Sequence, residues 1–178
     1  RAAAELGGIY ATHMRSEQSA ILTSLDETIR IGREAHIPVE IWHLKAGGYA
    51  NFGLMPEIVA HIERARAAGV DIAADTYAYP AWYNSLSAFI PPWAHEGGDA
   101  KLVERLRDPT IRERLRRELA ESDKDWDNEW QSVPGPDSIL ITTVLNPKLL
   151  GIQGQSLAAI ATARGTAPMD TLFDILVE

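Results

Sequence analysis

Two stretches of this chain place residues capable of chemistry at matching positions. "GGIYATHMR" (residues 7–15) ends a short apolar run in His13, and "VEIWHLKAGG" (residues 39–48) carries His43 and Lys45 before it breaks at Gly47-Gly48. An imidazole at the polar end of a strand serves as a metal ligand, a general base or a hydrogen-bonded core group. Two of them on successive strands favour the metal reading. Neighbouring strands lie about 4.8 Å apart, so both rings can reach one ion at zinc–nitrogen distances of about 2 Å. Lys45, one alternation beyond His43, is too costly to bury unpaired, so it calls for an anionic substrate, a carboxylate from another strand or a rim salt bridge. In "VDIAADTYAYP" (residues 70–80), Tyr77 is either a donor to a developing oxyanion or a packing aromatic. Asp75 is a ligand, a partner for Arg15 or Lys45, or a strand-end cap. His36, His61 and His95 are expected outside the site.

Elements that could position these residues follow a strand–helix rhythm. The three stretches above read as strands. Between them, "QSAILTSLDETIRIGREAH" places Ile21, Leu22, Leu25 and Ile29 at helical spacing, and "PEIVAHIERARAAG" does the same with Ile58, Val59 and Ile62. Pro56 suits a first helical turn and Gly69 a stop. Three strands joined by two amphipathic helices form a βαβαβ unit and therefore a parallel sheet. Alternation predicts that Ile9, Ala11, His13 and Arg15 share a face, as do Val39, Ile41, His43 and Lys45, and likewise Ala73, Asp75, Tyr77 and Tyr79. Apolar residues leading into polar ones at the C-terminal ends fit a (β/α)₈ barrel better than a nucleotide-binding sheet, which would want a glycine-rich first turn.

After Pro80 the rhythm stops. "AWYNSLSAFIPPWAHEGG" (residues 81–98) reads as a rim loop or lid and residues 99–120 as helical. "ESDKDWDNEW" and "VPGPD" read as linkers and "SILITTV" as a further short strand. "QSLAAIATARG" and "APMDTLFDILVE" read as helices, with Ser156 as cap, Gly165 as stop and Pro168 in a first turn. The expected organisation is residues 1–80 as part of a catalytic barrel, 81–150 as an insertion or lid at its mouth, and 151–178 as returning helices. Three strands do not close a barrel, so the remainder of a longer chain is expected to complete it, and this segment is expected to be inactive alone.

Composition narrows the partners. Of the 178 residues, 46% are hydrophobic and none is cysteine, so a core is affordable while disulfides and thiolate chemistry are not. A net charge of −8 argues against nucleic acid and anionic membranes. No apolar run approaches the roughly 18 residues of a membrane span and no signal-peptide pattern occurs, so a cytoplasmic location is expected.

"YATHMRSE", "EIWHLKAGG" and "ADTYAYPA" together resemble the N-acyl-D-amino-acid deacylases (D-aminoacylases) of the amidohydrolase superfamily, as do "SLSAFIPPWAHEGG", "LVERLRDPTIRERLRREL" and "SLAAIATARGTAPMDTLFDILVE". The resemblance implies an α/β fold, namely a segment of a distorted (β/α)₈ TIM-type barrel comprising about strands five to seven. It implies zinc held by His13 and His43, with Lys45 and Tyr77 contacting the substrate; by spacing Thr76 competes with Tyr77 for that place. The implied substrate is a small N-acyl-D-amino acid whose linear amide is hydrolysed. The family's H-x-H pair, bridging cysteine and general-base aspartate do not occur in these residues; the first two are expected upstream and the aspartate downstream. Competing readings are a cyclic-amide hydrolase of the same superfamily, dihydroorotase- or hydantoinase-like, and a non-catalytic barrel binding module.

Overall fold

The computed structural model describes residues 1–121 and 126–178, so part of the linker-like "ESDKDWDNEW" lies outside the described residues. The chain divides into two compact units, Arg1–Trp82 and Tyr83–Glu178.

The first unit opens with the short helix α1 (Ala2–Glu5). It then alternates β1 (Tyr10–Thr12), α2 (Ile21–Ala35), β2 (Val39–Ile41), α3 (Met55–Ala67) and β3 (Ile72–Ala74). The three strands form one parallel sheet in the order β1-β2-β3, with Tyr10 beside Val39 and Val39 beside Ile72. Residues in register share a face. Val39, Ile41 and Ile72 pack with Ile21 and Leu25 of α2 and Ile58 of α3, all within 4% exposure, and this is the unit's core. The opposite face carries Ala11, Glu40 and Ala73.

Two expectations are corrected here. Val59 is 43% exposed; the buried stripe of α3 runs through Ile58 and Ala65, with Ile62 packed against it, because positions four and seven apart stack on one helical face. Val39 and Ile41 likewise face the helices, so they do not share the open face with the polar strand ends. Burying branched side chains against two helices outweighs simple alternation beyond the strand.

His36 takes the left-handed conformation (φ 52°) that closes α2, its N–H bonding Gly32 O, and Gly69 (φ 87°) follows α3. Pro56 sits in the first turn of α3. Gly32 lets α2 approach the sheet. A Cβ there would lie 2.6 Å from Val39 Cγ2 and 3.2 Å from Val70 Cγ1, and both belong to stiff side chains. Gly32→Val should therefore destabilise the protein by about 1–3 kcal/mol through overpacking, read as a lower urea midpoint. An unchanged midpoint would mean that α2 shifts freely over β2.

The second unit is helical: α4 (Asp99–Leu106), α5 (Pro109–Ala120), α6 (Glu129–Ser132), α7 (Leu157–Arg164) and α8 (Pro168–Val177). The helical stretch 99–120 is broken at Asp108-Pro109, where Asp108 caps α5 by accepting from Thr110 N and Pro109 opens the first turn. Leu102, Leu106, Leu115, Leu119, Leu157, Leu172 and Phe173 form its core. Ser156 caps α7 by accepting from Ala159 N, and Gly165 (φ 66°) ends it. The expected strand in "SILITTV" does not form. That segment makes one isolated antiparallel bridge, Leu140 with Ser156, and Ile141 exchanges backbone bonds with Gln155 and Gly154. Its neighbour is the loop before α7, and among the described residues of this unit no strand is available to pair with it. Among the described residues no helix is long and apolar enough to cross a membrane.

Candidate metal centre

Beyond the C-terminal ends of β1 and β2, the backbone itself brings two imidazoles together. Along β1, alternation persists: Met14 is buried in the core (1% exposed), which turns His13 to the opposite face. Along β2 it does not persist. His43 has φ 43°, a left-handed conformation rare for a residue with a side chain. Such a conformation costs of order 1–3 kcal/mol and survives where its surroundings enforce it. Here the enforcement is explicit, since His43 N–H donates to Asp75 Oδ1 (2.5 Å) and Leu44 N–H to Asp75 O (2.8 Å). The kink swings His43 away from the helix side that Val39 and Ile41 occupy.

As a result His13 Nδ1 lies 3.1 Å from His43 Nε2, with ring centroids 4.8 Å apart at 68°. Two nitrogens each about 2.0–2.1 Å from a tetrahedral zinc stand about 3.3 Å apart, so this separation fits a shared ion. Glu17 joins them: its Oε1 is 2.9 Å from His43 Nδ1 and 3.9 Å from His13 Nδ1. His13, Glu17 and His43 form a group whose ligand atoms all lie within 4.8 Å of one another. Two converging imidazole nitrogens are donors suited to zinc, and the carboxylate meets the far nitrogen of His43.

Glu17 is the residue that sequence reasoning missed. Its side chain is only 9% exposed, and Oε2 accepts from Lys45 Nζ at 2.5 Å. The loop carrying it is fixed on both sides. Ser16 N–H donates to Ser24 Oγ of α2 (2.9 Å), and Gly47 N–H donates to Glu17 O (2.7 Å). That contact explains the glycine pair. A Cβ on Gly47 would lie 3.2 Å from Glu17 O, and Gly48 adopts φ 79°. The spacing His13-x-x-x-Glu17 in "THMRSE" was the available signal, but an acidic residue in a polar loop ordinarily faces water.

The other predicted residues fall as follows. Lys45 is a quarter exposed, donates to His43 O (3.1 Å) and stands 5.7 Å from the centroid of the Tyr77 ring. Tyr77 is half-buried, and burial, followed by the Glu17 charge, raises its hydroxyl above the ordinary tyrosine value, so it stays a proton donor at neutral pH. Thr76 donates its hydroxyl to Leu44 O (3.1 Å), which spends it on the loop. Asp75 acts as the cap on His43, while Arg15 forms a two-pronged pair with Glu27 at 2.8 and 2.9 Å. His61 lies 3.7 Å from Asp26, and His95 bonds the Ser87 and Ile90 carbonyls within the second unit.

No family profile matches the chain. The D-aminoacylase of Alcaligenes xylosoxydans xylosoxydans is 51% identical over 75 residues, 42% of this chain and 15% of that enzyme. The N-acyl-D-glutamate deacylase of the same organism is 36% identical over 103 residues, 58% of this chain and 20% of that enzyme. Among solved structures, the N-acyl-D-glutamate deacylase of Bordetella bronchiseptica, complexed with zinc and a phosphonate mimic of the tetrahedral intermediate, superposes with a TM-score of 0.64 at 24% identity. It covers 96% of this chain and 27% of its own. A D-aminoacylase described as defining a subset of amidohydrolases gives 0.62 at 28% identity, over 97% of this chain and 27% of its own. The fold is thus that of amidohydrolases. Within them, the chain is similar to D-aminoacylases and N-acyl-D-glutamate and N-acyl-D-aspartate deacylases, and it spans about a quarter or less of the relatives it matches.

Proposed function

We propose that this chain forms about strands five to seven of the distorted barrel of a zinc-dependent N-acyl-D-amino-acid deacylase. The observation that carries this reading is the 3.1 Å approach of His13 Nδ1 to His43 Nε2, with Lys45 alongside. His13 and His43 would hold the metal. A zinc ion bound there supplies Lewis-acid activation of water and of the scissile carbonyl.

This chain's own residues then divide the remaining work. An ammonium has three protons. Two of Lys45's go to Glu17 Oε2 and His43 O. The third is available to the carboxylate of an acyl amino acid. Tyr77, protonated at neutral pH, donates to the same carboxylate or to the oxyanion that develops at the amide carbon. The general base is not among these residues, and the family resemblance assigns it to an aspartate elsewhere in the enzyme.

The test is hydrolysis by the complete enzyme. N-acetyl-D-amino acids should be cleaved and their L-enantiomers not, with activity abolished by a chelator and restored by zinc. Preferential cleavage of a cyclic amide such as a hydantoin would replace this reading with the cyclic-amide one.

A further inference from the structure

Glu17 stands between the two functional groups of this site and touches both. Its two oxygens are divided: Oε1 lies 2.9 Å from His43 Nδ1, and Oε2 lies 2.5 Å from Lys45 Nζ. The nitrogen of His43 that meets Glu17 is not the one that meets His13, which is Nε2 at 3.1 Å. An ionised carboxylate only accepts hydrogen bonds, so the proton of this pair sits on His43 Nδ1. Nε2 then carries the lone pair that a metal needs, and it carries it on the side facing His13.

The same assignment resolves the crowding around Lys45. Lys45 Nζ also lies 3.0 Å from His43 Nδ1. If that nitrogen were a bare acceptor, Lys45 would spend its last proton there, after Glu17 and His43 O. With the proton on Nδ1, that contact is not a hydrogen bond and one ammonium proton remains for an anionic ligand.

We propose that Glu17 is the positioning residue of this centre: one oxygen fixes the His43 tautomer that presents Nε2 to the metal, and the other fixes Lys45 with one proton left for the substrate carboxylate. The proposal rests on the zinc deacylase reading for its purpose but on the described geometry for its content. Carboxylate partners of this kind orient metal-binding histidines generally, and losing one lowers metal affinity by about 10–100-fold.

Glutamine is the informative replacement. Lys45 requires an acceptor, so the glutamine carbonyl turns toward it and the amide NH₂ meets His43 Nδ1. That arrangement makes Nδ1 an acceptor and drives the proton to Nε2, the wrong place for ligation.

The experiment uses the complete enzyme, metal-free and with zinc. Long-range proton–nitrogen NMR of ¹⁵N-histidine-labelled, metal-free protein should find the His43 proton on Nδ1. In Glu17→Gln it should move to Nε2, with zinc affinity reduced about 10–100-fold. Glu17→Asp, which keeps the acceptor, should hold the Nδ1–H form and most of the affinity. Wild-type protein with the proton on Nε2 overturns the proposal without reference to any variant. Glu17→Gln with unchanged tautomer and affinity overturns it too. An unchanged tautomer with zinc lost as completely as in His43→Ala would make Glu17 a direct ligand and likewise overturns the positioning role. Wild-type protein with the Nδ1–H tautomer and bound zinc but no amide hydrolysis supports the role of Glu17 and removes only the deacylase reading.

Discussion

His43→Ala in the complete enzyme should lose zinc and amide hydrolysis together. The imidazole it removes supplies one of the two converging nitrogens, 3.1 Å from His13 Nδ1, and its Nδ1 meets the Glu17 carboxylate. Lewis-acid stabilisation of a hydrolytic transition state is worth several kcal/mol, so the rate should fall by about a thousandfold or more. Metal analysis on the same preparation should show zinc lost in parallel. The fold should survive, because His43 lies outside the core of Val39, Ile41, Ile21, Leu25 and Ile58 and its backbone is held by Asp75. Full zinc occupancy with wild-type turnover would remove His43 from the site.

Lys45→Met gives the second large effect, and it is read as a difference between substrates. The ammonium is partly desolvated and already paired with Glu17, and a hydrogen bond from such a charged group contributes about 1.5–3 kcal/mol. Losing it should lower kcat/KM on N-acyl-D-amino acids by roughly 10–100-fold. The corresponding N-acyl amino amides lack the carboxylate and should lose much less. Some loss on both is expected, because the variant leaves the Glu17 carboxylate without its cation and disturbs His43. Equal losses on acids and amides would assign Lys45 to supporting Glu17 alone.

Local chemistry was the most legible part of this chain. The strand–helix rhythm of the first unit follows from helical stripes such as Ile21 and Leu25, and the ends of α7 follow from Ser156 and Gly165, because caps and stripes act over a few residues. The pairing of His13 with His43 was readable from their equivalent places after successive strands. The face on which His43 lies was not. Alternation put it with Val39 and Ile41, whereas the left-handed kink at His43 depends on Asp75, 32 positions away. Glu17 escaped for the same reason: its loop is held by backbone bonds to Gly47 and Ser24, which no local pattern ties to "RSE". "SILITTV" has strand composition, but a strand forms only where another can pair with it.

The most direct test of the account is an anomalous-diffraction map, collected at the zinc edge, from crystals of the complete enzyme grown with zinc. The account predicts a peak about 2.0–2.1 Å from both His13 Nδ1 and His43 Nε2, with Glu17 on the far nitrogen of His43 and Lys45 beside it. A zinc peak that touches neither histidine, in an enzyme that still hydrolyses N-acyl-D-amino acids, would contradict it.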